Sequence, residues 1–228
     1  MACYLESLIR LVYPAQCGIC QNFLAIEEQG ICLGCLTRLR ERQFELENAL
    51  VDQKFNYLDE GWSLYPYESP LKDMLTAIKF LRKRWLMKVF QEEIKDLAVS
   101  LASENPYDFL IPIPLDRQKY VDREFNQSEL IARLLSRHTN LPIKTRFLYK
   151  RHSTPAQGLL SKMERQINLF GAFGVRQPEK ISGNSFLLVD DIFTTGATAE
   201  EAAKTLKQYG AKRVGLFALA RTQLKESL

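Results

Sequence analysis

One stretch constrains this chain more than any other: Phe186-Leu187-Leu188-Val189-Asp190-Asp191-Ile192-Phe193-Thr194-Thr195-Gly196-Ala197-Thr198. Phe186 to Val189 is too short for a buried helix and reads as a strand covered on both faces. Asp190 and Asp191 follow at its C-terminal end, where open α/β sheets gather their ligands. The Thr194-Thr195-Gly196-Ala197-Thr198 turn can direct backbone N–H groups and hydroxyls at a phosphate. Gly196 permits close backbone approach, and the helix that follows offers its positive end. Two carboxylates beside an anion cradle suit a phosphorylated sugar, the acids accepting from ribose hydroxyls and the turn holding the 5-phosphate. The plainer reading is a buried strand and a helix with Thr198 as an ordinary cap. Paired acids running into TTGAT favour the ligand.

The start of the chain has a separate chemistry. Cys17-Gly-Ile-Cys20 and Cys32-Leu-Gly-Cys35 are two CxxC pairs. Four thiolates in two short knuckles can surround a tetrahedral zinc at about 2.3 Å per sulfur. Gly18 and Gly34 help the backbone turn toward the sulfurs. Disulfides compete with this reading, but nothing else in the sequence suggests an oxidising compartment. A thioredoxin-like pair would need one CxxC within a βαβ unit. Structural zinc is therefore the expectation, with Cys17, Cys20, Cys32 and Cys35 filling every ligand position. Cys3 is left over and reads as a free thiol.

Between these features the chain alternates strands and helices. Trp62 to Tyr67 is an expected strand, and Ser69 as N-cap with Pro70 at the first helical position opens a helix along Leu71, Leu75 and Ile78. Lys72 and Lys79 lie on that helix, and Arg82, Lys83, Arg84 and Lys88 follow. The run is either a solvated face or a patch facing an anion such as a substrate phosphate or nucleic-acid backbone. A second helix is expected from Leu86 to about Asn105. Phe109 to Pro114 is another buried strand ended by its prolines. Leu115 to Arg123 reads as a cationic loop, Asn126 to about Arg137 as a helix, and Ile143 to Tyr149 as a strand. Ala199 to Tyr209 is an expected helix, and Val214 to Leu219 a final strand. Arg221 follows it, placed to sit near a ligand.

The PRPP (phosphoribosyl pyrophosphate) loop of type I phosphoribosyltransferases resembles the stretch around Asp190. More narrowly, IPIPLDRQKYVDREFNQSELIARLL, KRHSTPAQGLLSKMERQINLFGAF and LLVDDIFTTGAT together resemble the ComF/ComFC competence family, as does the order of cysteine knuckle then phosphoribosyltransferase-like domain. Arg123, Phe125, Asn126 and Gln127 fit that family's RGFNQ element, with Glu124 in place of its glycine. Thr154, Pro155 and Gln157 fit its TxxQ-type loop, and Arg165, Asn168, Ala172 and Phe173 the element after it.

The resemblance implies an α/β fold: a parallel sheet flanked by helices over residues 56–228, with a small zinc-binding domain over 1–55. It implies PRPP or a related ribose phosphate as ligand, accompanied by Mg²⁺. Asp190 and Asp191 would hold the ribose, Thr194 to Thr198 the 5-phosphate, and Arg117, Lys119 and Arg123 the pyrophosphate. Lys150 to Asn168 would be a flexible loop that closes over the site, bringing Lys150, Arg151 and Arg165. His152 within it reads as a solvated side chain or a general acid, and no catalytic residue is assigned. The family's role in natural transformation implies imported single-stranded DNA, a ComFA-type helicase and a recombination mediator as partners. Phe80 and Trp85, beside the basic run, could stack on bases, though their spacing reads more readily as core. The alternative is a salvage phosphoribosyltransferase, but no residue set for a base or amine acceptor stands out.

Lys and Arg total 31 against 27 Asp and Glu, a net charge of +4, so overall charge alone does not point to nucleic acid. Met1 to Val12 has amphipathic helix spacing, not the order of a secretory signal. No apolar run approaches the roughly 20 residues of a membrane span, so a cytoplasmic location without membrane insertion is expected.

Overall fold

Unbroken apolar runs need cover on both faces, and a parallel sheet between helices supplies it. The computed structural model describes residues 14–44, 55–104, 106–151 and 169–222. The Met1 to Val12 segment, Cys3, His152, the TxxQ-type loop and Arg165 fall outside those residues.

The elements are α1 (Leu33–Arg40), β1 (Glu60–Pro66), α2 (Leu71–Phe80), α3 (Gln91–Glu104), β2 (Phe109–Pro112), α4 (Arg117–Arg123), α5 (Gln127–Thr139), β3 (Leu148–Lys150), β4 (Phe173–Val175), β5 (Ser185–Phe193), α6 (Ala197–Gln208) and β6 (Arg213–Arg221). The main sheet has the order β1-β6-β5-β2. All its pairings are parallel, with Asp190 beside Ala218 and Val189 beside Phe217. β3 and β4 form a separate antiparallel ribbon.

The central strand carries two cores. Leu187 and Val189 join one apolar cluster, Phe186 and Leu188 the other, and all four are fully buried. Each side chain of this kind contributes about 1.5–3 kcal/mol of burial, before conformational entropy is subtracted. The first cluster extends from α2, α3 and α5 to Cys17, Ile31, Cys35 and Leu39, so the cysteine knuckle shares a core with the sheet.

Several local expectations change. β5 runs on to Phe193, which places both aspartates within the strand instead of after it. Pro70, after a cis Ser69–Pro70 bond, is the N-cap of α2, and no side chain caps that helix. The second helix begins as a 3-10 turn over Arg84–Phe90 before becoming α3. Leu115 to Arg123 is not a loop throughout: Asp116 caps α4 by accepting from the Lys119 amide at 3.0 Å. The strand expected from Ile143 is reduced to one bridge with Leu110, followed by a turn and then β3. The chain leaves the sheet there to set Phe147 edge-on to Phe109 and Phe186, at 5.9 and 6.4 Å between ring centroids.

Candidate functional site

The parallel sheet delivers two carboxylates to its C-terminal edge. Asp190 Oδ1 accepts from the Ser128 hydroxyl at 3.1 Å and from the Asp191 amide at 2.9 Å. Burial, then the neighbouring Asp191 charge, raises the Asp190 carboxyl to about 7; the hydrogen bonds and Lys79 only partly offset this. Lys79 Nζ lies 2.5 Å from Asp191 Oδ2, an ion pair between two side chains each 14% exposed.

Beyond Phe193 the chain turns through Thr194 and Thr195 into α6. Gly196 is the N-cap at φ +77°, a backbone that glycine adopts without strain. Thr198 therefore lies inside the first turn and does not cap it. The first N–H groups of α6 have no carbonyl within the helix to bind. The Phe55 ring closes one flank of the turn, at 2.5 Å from where a Cβ on Gly196 would stand. After it, the amides of Asn56, Tyr57 and Leu58 donate to the Glu200 carboxylate at 2.6, 3.2 and 3.2 Å. A void of about 20 Å³ lies beneath the turn, between Asp190, Thr194, Gly196 and Thr198. It has room for one water.

The cations of the β2–α5 connection face three ways. Arg117 lines an open cavity of about 460 Å³ with Lys150, Arg151 and Arg176, whose floor includes Asp116 and Tyr149. Among the described residues no carboxylate lies within 4 Å of Arg117, Arg151 or Arg176. Lys119 pairs with Asp116 at 3.3 Å. Burial would raise the Asp116 carboxyl, but the amide and ammonium of Lys119 outweigh it and hold it below its usual range. Burial, then Lys119, lowers the Lys150 ammonium, while Asp116 and Asp190 oppose the shift. Lys150 thus stands electrostatically between the cavity and the aspartate pair. Arg123 points elsewhere, over the Phe80 ring at 5.7 Å and donating to Gln127 Oε1 at 3.3 Å.

Glu124 has φ +64°, which explains why a glycine suits this position at the end of α4. Its carboxylate turns away from Arg123 and accepts from Arg82 at 2.6 Å. Asn126 is a structural pin: it caps α5 through the Ser128 amide at 3.0 Å and donates to the Ile113 carbonyl at 2.8 Å.

In the knuckle, the four Sγ atoms of Cys17, Cys20, Cys32 and Cys35 all lie within 4.8 Å of one another, Cys20 and Cys32 at 3.6 Å. Tetrahedral zinc with sulfur at about 2.3 Å requires sulfurs about 3.8 Å apart. The residues fit a metal ion such as zinc. The Cys32 amide donates to Cys17 Sγ at 3.4 Å and Arg38 to Cys35 Sγ at 3.2 Å, as donors to thiolates would.

Residues 127–227 match the family model of the phosphoribosyl transferase domain. The chain is 27% identical to the DNA utilization protein YhgH of Escherichia coli over 93% of its own length and 99% of that protein's. It is 26% identical to competence protein F of Haemophilus influenzae, over 90% and 96% of the two chains. Its identity to competence protein ComFC of Bacillus subtilis is 29%, over 72% and 65%. The similarity to YhgH and to competence protein F thus runs along nearly the whole chain, and the phosphoribosyl transferase match covers its C-terminal part. Among solved structures, a hypoxanthine phosphoribosyltransferase from Staphylococcus aureus is similar over 58% of this chain and 62% of its own, at 15% identity and a TM-score of 0.39.

Several residues of this candidate site had no signal in the sequence pattern. Lys79 reads as one cation of a run, Ser128 as an ordinary first-turn serine, and Arg176 and Glu200 as surface charges. Each acquires its role only when distant elements meet. Phe80 and Trp85 correct an expectation: they are 68% and 45% exposed, not core. The buried face of α2 is used up by Leu71, Met74, Leu75, Ala77 and Ile78, which leaves Phe80 outside. Arg221 is placed over the Phe44 ring at 4.4 Å. Among the described residues no helix is long and apolar enough to cross a membrane.

Proposed function

We propose that this competence-related, phosphoribosyltransferase-like protein binds PRPP or a closely related ribose phosphate at the end of β5. The observation that carries the reading is the placement of Asp190 and Asp191 beside the free N-terminal amides of α6. Ribose hydroxyls donate to the carboxylates, and the 5-phosphate accepts from the Thr194–Thr198 turn. Arg117, Lys119 and Lys150 supply positive charge on the opposing side for a diphosphate. Mg²⁺ arriving with the ligand would neutralise part of that diphosphate, and the Asp190 and Asp191 carboxylates are oxygen ligands suited to its hydration shell. Among the described residues, this arrangement offers preorganised charge and positioning to catalysis. Titration of PRPP with Mg²⁺ by calorimetry tests it: Asp190→Asn with Asp191→Asn should abolish binding in a protein of unchanged fold. Unchanged affinity removes the assignment.

Single-stranded DNA handling is the second part of the proposal. Exposed Phe80 and Trp85 stand within the cations Arg82, Lys83, Arg84 and Lys88, and Arg123 covers one face of Phe80. Aromatic faces among backbone-neutralising cations are what sequence-independent strand binding needs. Affinity for an oligothymidine should fall steeply with salt, and less steeply after Lys83→Gln. A flat salt response would exclude the ridge as a phosphate-backbone surface. The cysteine knuckle is proposed to hold one structural zinc.

A further inference from the structure

The basic run is not uniform. Arg82 pairs with the exposed Glu124 and Arg84 lies over the Phe125 ring at 5.3 Å, whereas Lys79 turns inward to Asp191 Oδ2. An ammonium brought largely out of water to within 2.5 Å of a carboxylate gives up solvation for that one charged partner. Nothing in the packing of α2 requires it, since that helix is held by its apolar face. Its position is telling. The next residues of the same segment touch the far wall: Phe80 lies against Arg123, and Arg82 binds Glu124 and the Asp122 carbonyl at 3.3 Å. Lys79 therefore stands between the aspartates at the end of β5 and the end of α4.

We propose that Lys79 is an exchangeable counter-ion of the sugar site, neutralising Asp191 in the empty protein and turning to a phosphate carried on ribose C1 when the sugar hydroxyls engage Asp191. This rests on the ribose-phosphate reading above. A hydroxyl can donate to Asp191 but cannot neutralise it, so the released ammonium needs another anion nearby. A ligand with a diphosphate at C1 supplies one. Ribose 5-phosphate does not, so its binding separates Lys79 from Asp191 without compensation. Lys79 is thus a specificity residue, favouring the C1-phosphorylated ligand by a flexible point charge.

Calorimetry on the full-length chain with Mg²⁺ separates the possibilities, using PRPP and ribose 5-phosphate as probes. In Lys79→Met, PRPP affinity should fall at least tenfold while ribose 5-phosphate affinity holds or rises. Lys79→Arg should retain most of the preference, and Lys79→Gln, uncharged but polar and similar in length to Met, should repeat the Met result, whereas a Gln variant that behaves like the unaltered protein would assign the Met effect to packing and overturn the role of the charge. Parallel loss of both ligands, or no change in either, overturns the role of Lys79 while leaving the ribose-phosphate reading intact. If the unaltered protein binds neither ligand, the reading itself falls, and the exchange with it.

Discussion

Ser128, in the first turn of α5, donates to Asp190 Oδ1 across 3.1 Å, tying the helix after β2 to the carboxylate at the end of β5. That single hydroxyl does not hold Asp190 ionised. Burial and the Asp191 charge raise its carboxyl to about 7, from an ordinary value near 4. The folded protein therefore binds this proton more tightly than the unfolded chain. Stability from this group is fully present below about pH 4 and is lost as pH rises through 7. Asp190→Asn should raise stability at pH 8, by an amount on the order of 1–3 kcal/mol, and by a clearly smaller amount at pH 5. Denaturant unfolding at the two pH values measures the difference, and an equal effect at both would refute the raised carboxyl.

Ligand binding should follow the same ionisation in the opposite sense. An Asp190 that must accept from a ribose hydroxyl is better prepared when charged, so PRPP affinity should increase between pH 6 and 8. Ser128→Ala removes a donor that favours the charged form, which should move the midpoint of that rise to higher pH. An unmoved midpoint would mean that Ser128 only packs.

The end of α4 gives a test of backbone conformation. Glu124 at φ +64° carries a strain of about 1 kcal/mol that glycine does not. Its ion pair with Arg82 joins two exposed groups and offsets about 0–1 kcal/mol. Glu124→Gly should therefore be neutral to mildly stabilising, whereas Glu124→Ala should destabilise, losing the pair and keeping the strain. Thermal melts of the two variants decide it, and identical melts would remove the left-handed backbone from the account.

The knuckle and the basic ridge are mechanically joined. Gly30, at φ +81°, sits where a Cβ would fall 2.2 Å from the Trp85 ring, and a Cβ on Gly18 would fall 2.6 Å from the Leu86 side chain. Gly30→Ala should cost about 2 kcal/mol or more, from the strained backbone and the displaced indole. Trp85→Ala in the same chain should recover the second part. Metal content should be near one ion per chain and fall in Cys17→Ser. Its removal by chelator should change Trp85 fluorescence in a Trp62→Phe background, and an unresponsive indole would disconnect the two.

The parallel sheet was legible because its strands are short apolar runs bounded by turn residues, and Phe186 to Val189 shows why: alternate side chains feed two separate cores. The aspartates and the TTGAT turn were legible because their chemistry is local. α4 was not, because none of its residues is buried and there is no apolar stripe to read. Its helix depends on the Asp116 cap and the left-handed Glu124. Lys79 was hidden for another reason: the residue that gives it meaning lies far along the chain.

The strap over α6 is the remaining relationship with a measurable consequence. Glu200 receives three successive amides, of Asn56, Tyr57 and Leu58, and so fixes Phe55 against the flank of the phosphate turn. Hydrogen bonds to a charged acceptor contribute about 1.5–3 kcal/mol each, less where solvent reaches them, as at Asn56. Glu200→Gln keeps the side-chain length but weakens the bonds to one oxygen and replaces the other with an NH2 group that cannot accept, and its stability loss should be on the order of 1–2 kcal/mol. Phe55→Ala should cost packing against Phe193, whose ring it meets edge-on at 5.8 Å, without touching the amide bonds. If the strap restrains the Gly196 turn, both variants should speed hydrogen exchange at the Thr194 to Thr198 amides, and Glu200→Gln should do so without any change at Asp190. Unaltered exchange at those amides in both would show that the turn holds its shape without the strap.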